Sequence, residues 1–193
     1  MSIVVTRVLE DQILMAADTG FSDDCSRWSN VHMPKFVIHR TFAGTDIVVG
    51  ITGSAKQLSL MNAFLHKLDT KMYEVEGTNL GVFTFMKKWS AFCDKLDVGS
   101  NPQADGYLSE LHIVTQGTAW TAQGYFISQI TEWETMGSGD PYARAAMRLG
   151  HNLIEAAEVA SMYDLYCEPP IMSLTYDVAT RCVVESVTHD SFL

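Results

Sequence analysis

Ser2-Ile3-Val4-Val5-Thr6-Arg7-Val8-Leu9-Glu10-Asp11-Gln12-Ile13-Leu14-Met15-Ala16-Ala17-Asp18 holds two apolar runs on either side of an acidic pair. Residues 3–9 and 12–18 are apolar and β-branched runs, and Glu10-Asp11 between them fits a tight turn, so the segment predicts an N-terminal hairpin. Residues 36–39 and 47–51 form a second such pair around Ala43-Gly44-Thr45-Asp46, whose glycine suits a hairpin loop. Beyond them the period changes. Leu58, Met61, Leu65, Leu68 and Met72 recur at steps of three and four, which predicts an amphipathic helix. A second helix is expected from about residue 80 to 96, with Phe83, Met86, Cys93 and Leu96 on one face.

Val98-Gly99-Ser100-Asn101-Pro102 breaks that helix, and residues 107–115, 119–123 and 125–132 read as strands. Asp140-Pro141 then sets a capping carboxylate before a proline suited to the first helical position. Gly150 stops this helix, and Asn152 with Glu155 has the spacing of a capping box for the next one. Ala143, Ala145, Ala146, Ala156, Ala157 and Ala160 are small enough to let both helices lie close on a neighbouring layer. Residues 171–176 and 182–187 are the last two strands. Four strands, two helices, three strands, two helices and two strands fit an α+β layered fold better than an alternating one, with two antiparallel sheets between helix layers.

The 193 residues are 47% apolar and 19% charged, enough for one sizeable core, and with no linker or repeat the whole of residues 1–193 reads as a single domain. Thirteen Lys and Arg against twenty-three Asp and Glu give a formal charge of −10, which disfavours nucleic acid and anionic membranes as partners. The longest stretch free of acidic and basic residues, leaving His112 aside, covers residues 111–131, and Gln, Thr, Ser and Gly interrupt it throughout, so no spanning helix is expected. No secretory signal is visible near the N-terminus, which favours a cytoplasmic protein. Cys25, Cys93, Cys167 and Cys182 are scattered without a C-x-x-C pair and read as free thiols. Six histidines offer no paired helical spacing for a metal, and neither a G-x-S-x-G elbow nor a phosphate-binding glycine loop occurs, so neither metal nor cofactor is expected.

The element order and several motifs together resemble the proteasome β-subunit and its bacterial relative, the protease component of the HslUV pair, both N-terminal-nucleophile hydrolases. Ser2-Ile3-Val4-Val5-Thr6 stands where that family has its mature N-terminal Thr and first strand, and Met15-Ala16-Ala17-Asp18 resembles its small-residue run ending in a fixed aspartate. His32-Met33-Pro34-Lys35 resembles the stretch carrying the catalytic lysine, and Ile51-Thr52-Gly53-Ser54-Ala55 the stretch whose backbone N–H forms the oxyanion hole. Gly137-Ser138-Gly139-Asp140-Pro141-Tyr142-Ala143 is close to the family's Gly-Ser-Gly-x-x-Tyr-Ala signature, and residues 156–166 fit its helix ending in Asp-x-Tyr. The departures are Ser for Thr at the nucleophile, Cys167 where a serine usually assists, and Glu168-Pro169-Pro170 in place of a glycine-rich turn.

The resemblance implies a four-layer αββα sandwich and a catalytic set of Ser2, Asp18, Lys35, Gly53, Ser138 and Asp164. It also implies that Ser22 binds substrate backbone and that Phe21, Met33, Val37, Ile51 and Ala55 line the primary pocket. The implied substrate is a peptide or unfolded protein, the implied assembly a homo-oligomeric ring, and an ATP-driven unfoldase is a candidate partner. Once Met1 is removed, the chemistry is independent of the name: a hydroxyl at Ser2 sits beside its own α-amine, whose reference pKa of about 7.7 to 8.0 leaves a neutral fraction to act as base. A ring-forming subunit without catalysis and a small-molecule amidase with the same nucleophile are the competing readings.

Overall fold

The N-terminal hairpin forms the middle of a sheet. In a computed structural model, which describes residues 2–22, 27–29, 34–53, 55–69, 74–96, 110–124 and 126–190, β1 (Val4–Val8) pairs antiparallel with β2 (Gln12–Asp18) in the register Val4↔Ala17. Leu9 N donates to Gln12 O at 2.9 Å across the Glu10-Asp11 turn. β10 (Trp133–Met136) flanks β1, while β11 (Ile171–Asp177) and β12 (Cys182–His189) continue beyond β2, giving the order β10-β1-β2-β11-β12.

A second five-stranded sheet has the sequential order β5 (Phe36–Arg40), β6 (Asp46–Ile51), β7 (Glu110–Thr115), β8 (Thr118–Gln123) and β9 (Phe126–Ile130). All its pairings are antiparallel. A short hairpin of β3 (Gly20–Ser22) and β4 (Arg27–Ser29) stands apart. The chain is thus mixed α+β, with two antiparallel five-stranded sheets and, among the described residues, four helices: α1 (Ala55–Asp69), α2 (Asn79–Lys95), α3 (Asp140–Arg148) and α4 (Leu153–Tyr163).

Three apolar clusters follow from the two-residue period of the strands. Ile47, Val49 and Ile51 of β6 pack with Met61, Phe64 and Leu65 of α1 and Phe85 and Trp89 of α2. Ile3, Val5 and Ala16 of the first sheet pack with Ala143 and Ala146 of α3 and Ala156, Ala157 and Ala160 of α4. The opposite faces of both sheets meet in a third cluster, where Val4, Met15 and Ala17 join Phe36, Val48 and Val114. Both faces of each sheet are therefore covered at the strands that carry these residues, and their near-continuous apolar runs follow from that. Gly50 of β6 faces the third cluster, and a Cβ there would lie 2.8 Å from Met15 Cε and 3.0 Å from Val4 Cγ1, so glycine permits the close approach of the two sheets at this point.

Several sequence expectations need correction. The run 125–132 holds only β9, and the chain then bends to form β10 in the other sheet, a strand that sequence reading missed because no glycine or proline marks the bend. On α2 the buried face is Val82, Phe85, Met86, Trp89 and Cys93, whereas Phe83 and Leu96 are exposed, because Phe85 packs edge-on and Trp89 tilted against Phe64 at centroid distances of 5.4 and 5.3 Å. Gly139, not Asp140, is the N-cap of α3; the Asp140 carboxylate is taken by Thr135 Oγ1 and Arg144. Ala145 faces solvent. The Asn152–Glu155 capping box forms as expected. Cys93, Cys167 and Cys182 are free thiols, while Cys25 and Met72 lie outside the described residues. No helix among the described residues is long and apolar enough to cross a membrane.

Candidate active site

Antiparallel pairing brings alternate strand ends to one edge, and the site is built from six of them. Val4↔Ala17 and Ile171↔Asp18 put the start of β1, the end of β2 and the start of β11 together, and Val4↔Met136 adds the end of β10. In the second sheet Ile51 N donates to Lys35 O at 2.8 Å, which sets Lys35 at the start of β5 opposite the end of β6. Gly53 follows two residues later.

Ser2 is fully buried. Its N–H donates to Ser138 Oγ at 3.2 Å, its carbonyl accepts from Gly139 N at 3.3 Å, and its own hydroxyl has no hydrogen-bond partner among the described residues. The loop residues Gly137 and Gly139 are glycines for a steric reason. Gly137 has φ +101°, and a Cβ there would lie 2.1 Å from Ser2 O; at Gly139 it would lie 2.8 Å from Cys167 Sγ. No side chain fits between this loop and Ser2.

Asp18, also fully buried, is held by three backbone donors: Ile3 N at 2.9 Å on Oδ1, and Gly20 N at 3.0 Å and Glu168 N at 3.3 Å on Oδ2. Burial pushes its carboxyl up to about 6, against the opposing pull of the Lys35 charge and of these N–H groups. Lys35 is 2% exposed. Burial lowers its ammonium from the ordinary lysine range, while Asp18, and Cys167 after it, draw it back up. The two groups therefore form a buried pair in which burial works against both charges and each charge favours the other.

Asp164 caps the C-terminus of α4 and reaches the site through Cys167, whose Sγ donates to Asp164 Oδ2 at 3.3 Å. Burial first, then the charges of Asp18 and Asp164, raise the Cys167 thiol far above its usual range, while Ser138 lies within hydrogen-bonding reach of it. The thiol is thus a neutral link between Asp164 and Ser138. Gly53 has φ +126°, a region that favours glycine, and Gln57 Oε1 lies 2.0 Å from where its Cβ would be. The preceding Thr52 puts its Cγ2 2.8 Å from the Cβ position of Gly137, which places Gly53 near the Ser138 loop.

Ser2, Asp18, Lys35 and Ser138 are thereby brought together, with Asp164 one thiol removed and Gly53 one residue from direct contact. Val37, Ile51 and Ala55 share the apolar cluster under α1. Met33 lies outside the described residues, as do the side chains of Phe21 and Ser22. Sequence reading missed the Glu168 amide on Asp18, because a backbone donor leaves no residue signal. It missed Glu110 too, whose Oε2 accepts from Gly137 N at 2.9 Å across 27 residues. No group of three or more metal-ligating side chains occurs among the described residues.

No family model and no curated protein matches the sequence. Solved structures do. Thiobacillus denitrificans BPH superimposes with a TM-score of 0.77 at 18% identity over 91% of this chain and 98% of its own, and the same protein has been solved in complex with epoxomicin. Anbu (ancestral beta-subunit) from Yersinia bercovieri gives 0.75 at 9% identity, over 98% and 88% of the two chains. Eukaryotic HslV from Trypanosoma brucei gives 0.64 at 15% identity, over 91% and 99%. The chain shares the fold of these proteins.

Proposed function

We propose that the chain is a proteasome-like peptidase subunit that hydrolyses peptide bonds with Ser2 as an N-terminal nucleophile. The observation that carries this reading is that Ser2 N bonds Ser138 while the next residue, Ile3, bonds Asp18 of the buried Asp18–Lys35 pair, and that the Ser2 hydroxyl has no partner among the described residues. Once Met1 is removed, the Ser2 α-amine takes the hydroxyl proton as Oγ attacks the peptide carbonyl carbon. The carbonyl oxygen becomes an oxyanion facing Gly53 N–H, a type of donor worth about 2.7–4 kcal/mol in other acyl-transfer enzymes. The proton then passes to the departing amine, leaving an ester on Ser2 that water hydrolyses. Lys35 favours the developing alkoxide, Asp18 balances Lys35 and fixes Ile3 beside the nucleophile, and Ser138 with Asp164 orients the amine and the water.

The same reading makes residues 1–193 one four-layer αββα domain, consistent with three apolar clusters between successive layers. It assembles as a homo-oligomeric ring in the cytoplasm, acts on peptides or unfolded proteins without a metal or cofactor, and takes them from an ATP-driven unfoldase. One solved neighbour is a helical assembly of the Anbu complex from Pseudomonas aeruginosa, which supports self-association. Phe21, Met33, Val37, Ile51 and Ala55 line its primary pocket, and Ser22 holds substrate backbone. A second reading, a structural subunit without activity, is favoured by the full burial of Ser2 and applies wherever Met1 stays attached.

Hydrolysis of fluorogenic peptides by wild type, Ser2→Ala and Lys35→Ala, with particle size measured for each, tests the proposal. Both variants lose hydrolysis and keep the assembly; hydrolysis that survives Ser2→Ala removes the mechanism.

A further inference from the structure

We infer that Glu110 is a positioning residue for the Ser2 site, setting the Ser138 loop of the first sheet against the Gly53 end of the second; the inference rests on the reading of Ser2 as nucleophile. The β1–β10 ladder ends at Val4↔Met136, so the next amide, Gly137 N–H, has left the sheet. It donates instead to Glu110 Oε2 at 2.9 Å, a carboxylate contributed by β7 of the other sheet. The same residue's backbone carbonyl accepts from Thr52 N at 3.3 Å, and Thr52 directly precedes Gly53. One residue thus holds both segments that flank Ser2, by its side chain on one side and its main chain on the other.

The clearance leaves little slack. A Cβ on Gly137 would lie 2.1 Å from Ser2 O and 2.8 Å from Thr52 Cγ2, so Gly137 is wedged between the nucleophile's carbonyl and the Gly53 segment. Releasing Gly137 N–H lets the loop move, and with it Ser138 Oγ, the acceptor of Ser2 N. A hydrogen bond to a carboxylate is stronger than a neutral one, but a Gln side chain offers an acceptor at the same reach, whereas Asp is one methylene short. Small misplacements of a catalytic group act on the chemical step and not on substrate grip.

Glu110→Ala, Glu110→Asp and Glu110→Gln are compared with wild type by steady-state peptide hydrolysis and by hydrogen exchange of the peptide spanning residues 136–141. Glu110→Ala and Glu110→Asp are expected to lower kcat about tenfold or more with KM within about twofold, as for a lost charge-assisted contact. Glu110→Gln restores at least half of kcat. Exchange in the 136–141 peptide speeds up in the first two variants and not in the third. If Glu110→Ala does not fold, Glu110→Asp carries the same expectation. Unchanged kcat in Glu110→Asp, or Gln as damaging as Asp, overturns the role. If wild type itself hydrolyses nothing, the catalytic reading fails separately, and exchange still decides the clamp: unaltered exchange in Glu110→Asp refutes it.

Discussion

Replacing Ser2 by Ala is expected to abolish hydrolysis and at the same time to make the fold slightly more stable. Ser2 is fully buried and its hydroxyl has no hydrogen-bond partner among the described residues. A buried hydroxyl without a partner costs about 1–3 kcal/mol. Alanine keeps the Cβ, the backbone nitrogen that donates to Ser138 Oγ and the carbonyl that accepts from Gly139 N. The oxygen-sized gap it leaves, roughly 15 Å³, costs about 0.4 kcal/mol at roughly 24 cal/mol per Å³. The net gain is about 1 kcal/mol or a little more, a rise of about 2–4 °C in melting temperature for a chain of this size. Scanning calorimetry of both proteins, shown by intact mass to be processed alike, reads the shift, and a fluorogenic peptide reads activity. A fall of more than about 3 °C, which is on the order of 1 kcal/mol here, would mean that the hydroxyl bonds structurally and is not held ready for attack.

Peptide hydrolysis should fall as pH drops through about 6, because a protonated Asp18 no longer balances Lys35; stability runs the other way. With a folded-state pKa above the ordinary 3.8, the folded chain binds this proton more tightly than the unfolded one, so the Asp18 contribution to stability rises as pH falls from about 6 to about 4, and Asp18→Asn should flatten the trend in denaturant titrations at both pH values. Gly53→Ala forces a side chain into φ +126° and against Gln57, with an expected loss of about 1–3 kcal/mol of stability and about a hundredfold in kcat; unaltered kcat would show that Gly53 is not the oxyanion donor. Under the proposed pocket of Phe21, Met33, Val37, Ile51 and Ala55, none of which carries a charge, a peptide panel varied only before the cleaved bond should favour Leu, Phe, Tyr or Met; a clear preference for a charged residue would show the pocket misread.

Residues with a strong local signature were legible in the sequence. The Glu10-Asp11 turn, the Asn152–Glu155 box and the change from a two-residue to a 3.6-residue period each fix an element from neighbours a few residues apart. The missed strand β10 and the α2 face were not legible for the opposite reason. The bend between β9 and β10 is set by which sheet each strand joins, and α2 has apolar residues around much of its surface, so Phe64 and its partners choose the buried stripe. At the site, Ser2, Asp18 and Lys35 were picked out by the resemblance of the stretches that carry them to a known family's motifs, not by their own pattern. The backbone amides of Ile3, Gly20 and Glu168 on Asp18, the Cys167 link to Asp164 and the reach of Glu110 to Gly137 depend on folding and have no pattern along the chain.

Intact-mass spectrometry of protein isolated from cells, read beside fluorogenic peptide hydrolysis by the same sample, is the sharpest test of the proposed nucleophile. The expected result is a chain that begins at Ser2 and hydrolyses the peptide. Full retention of Met1 together with no hydrolysis would contradict it and leave the chain a structural subunit of the same fold.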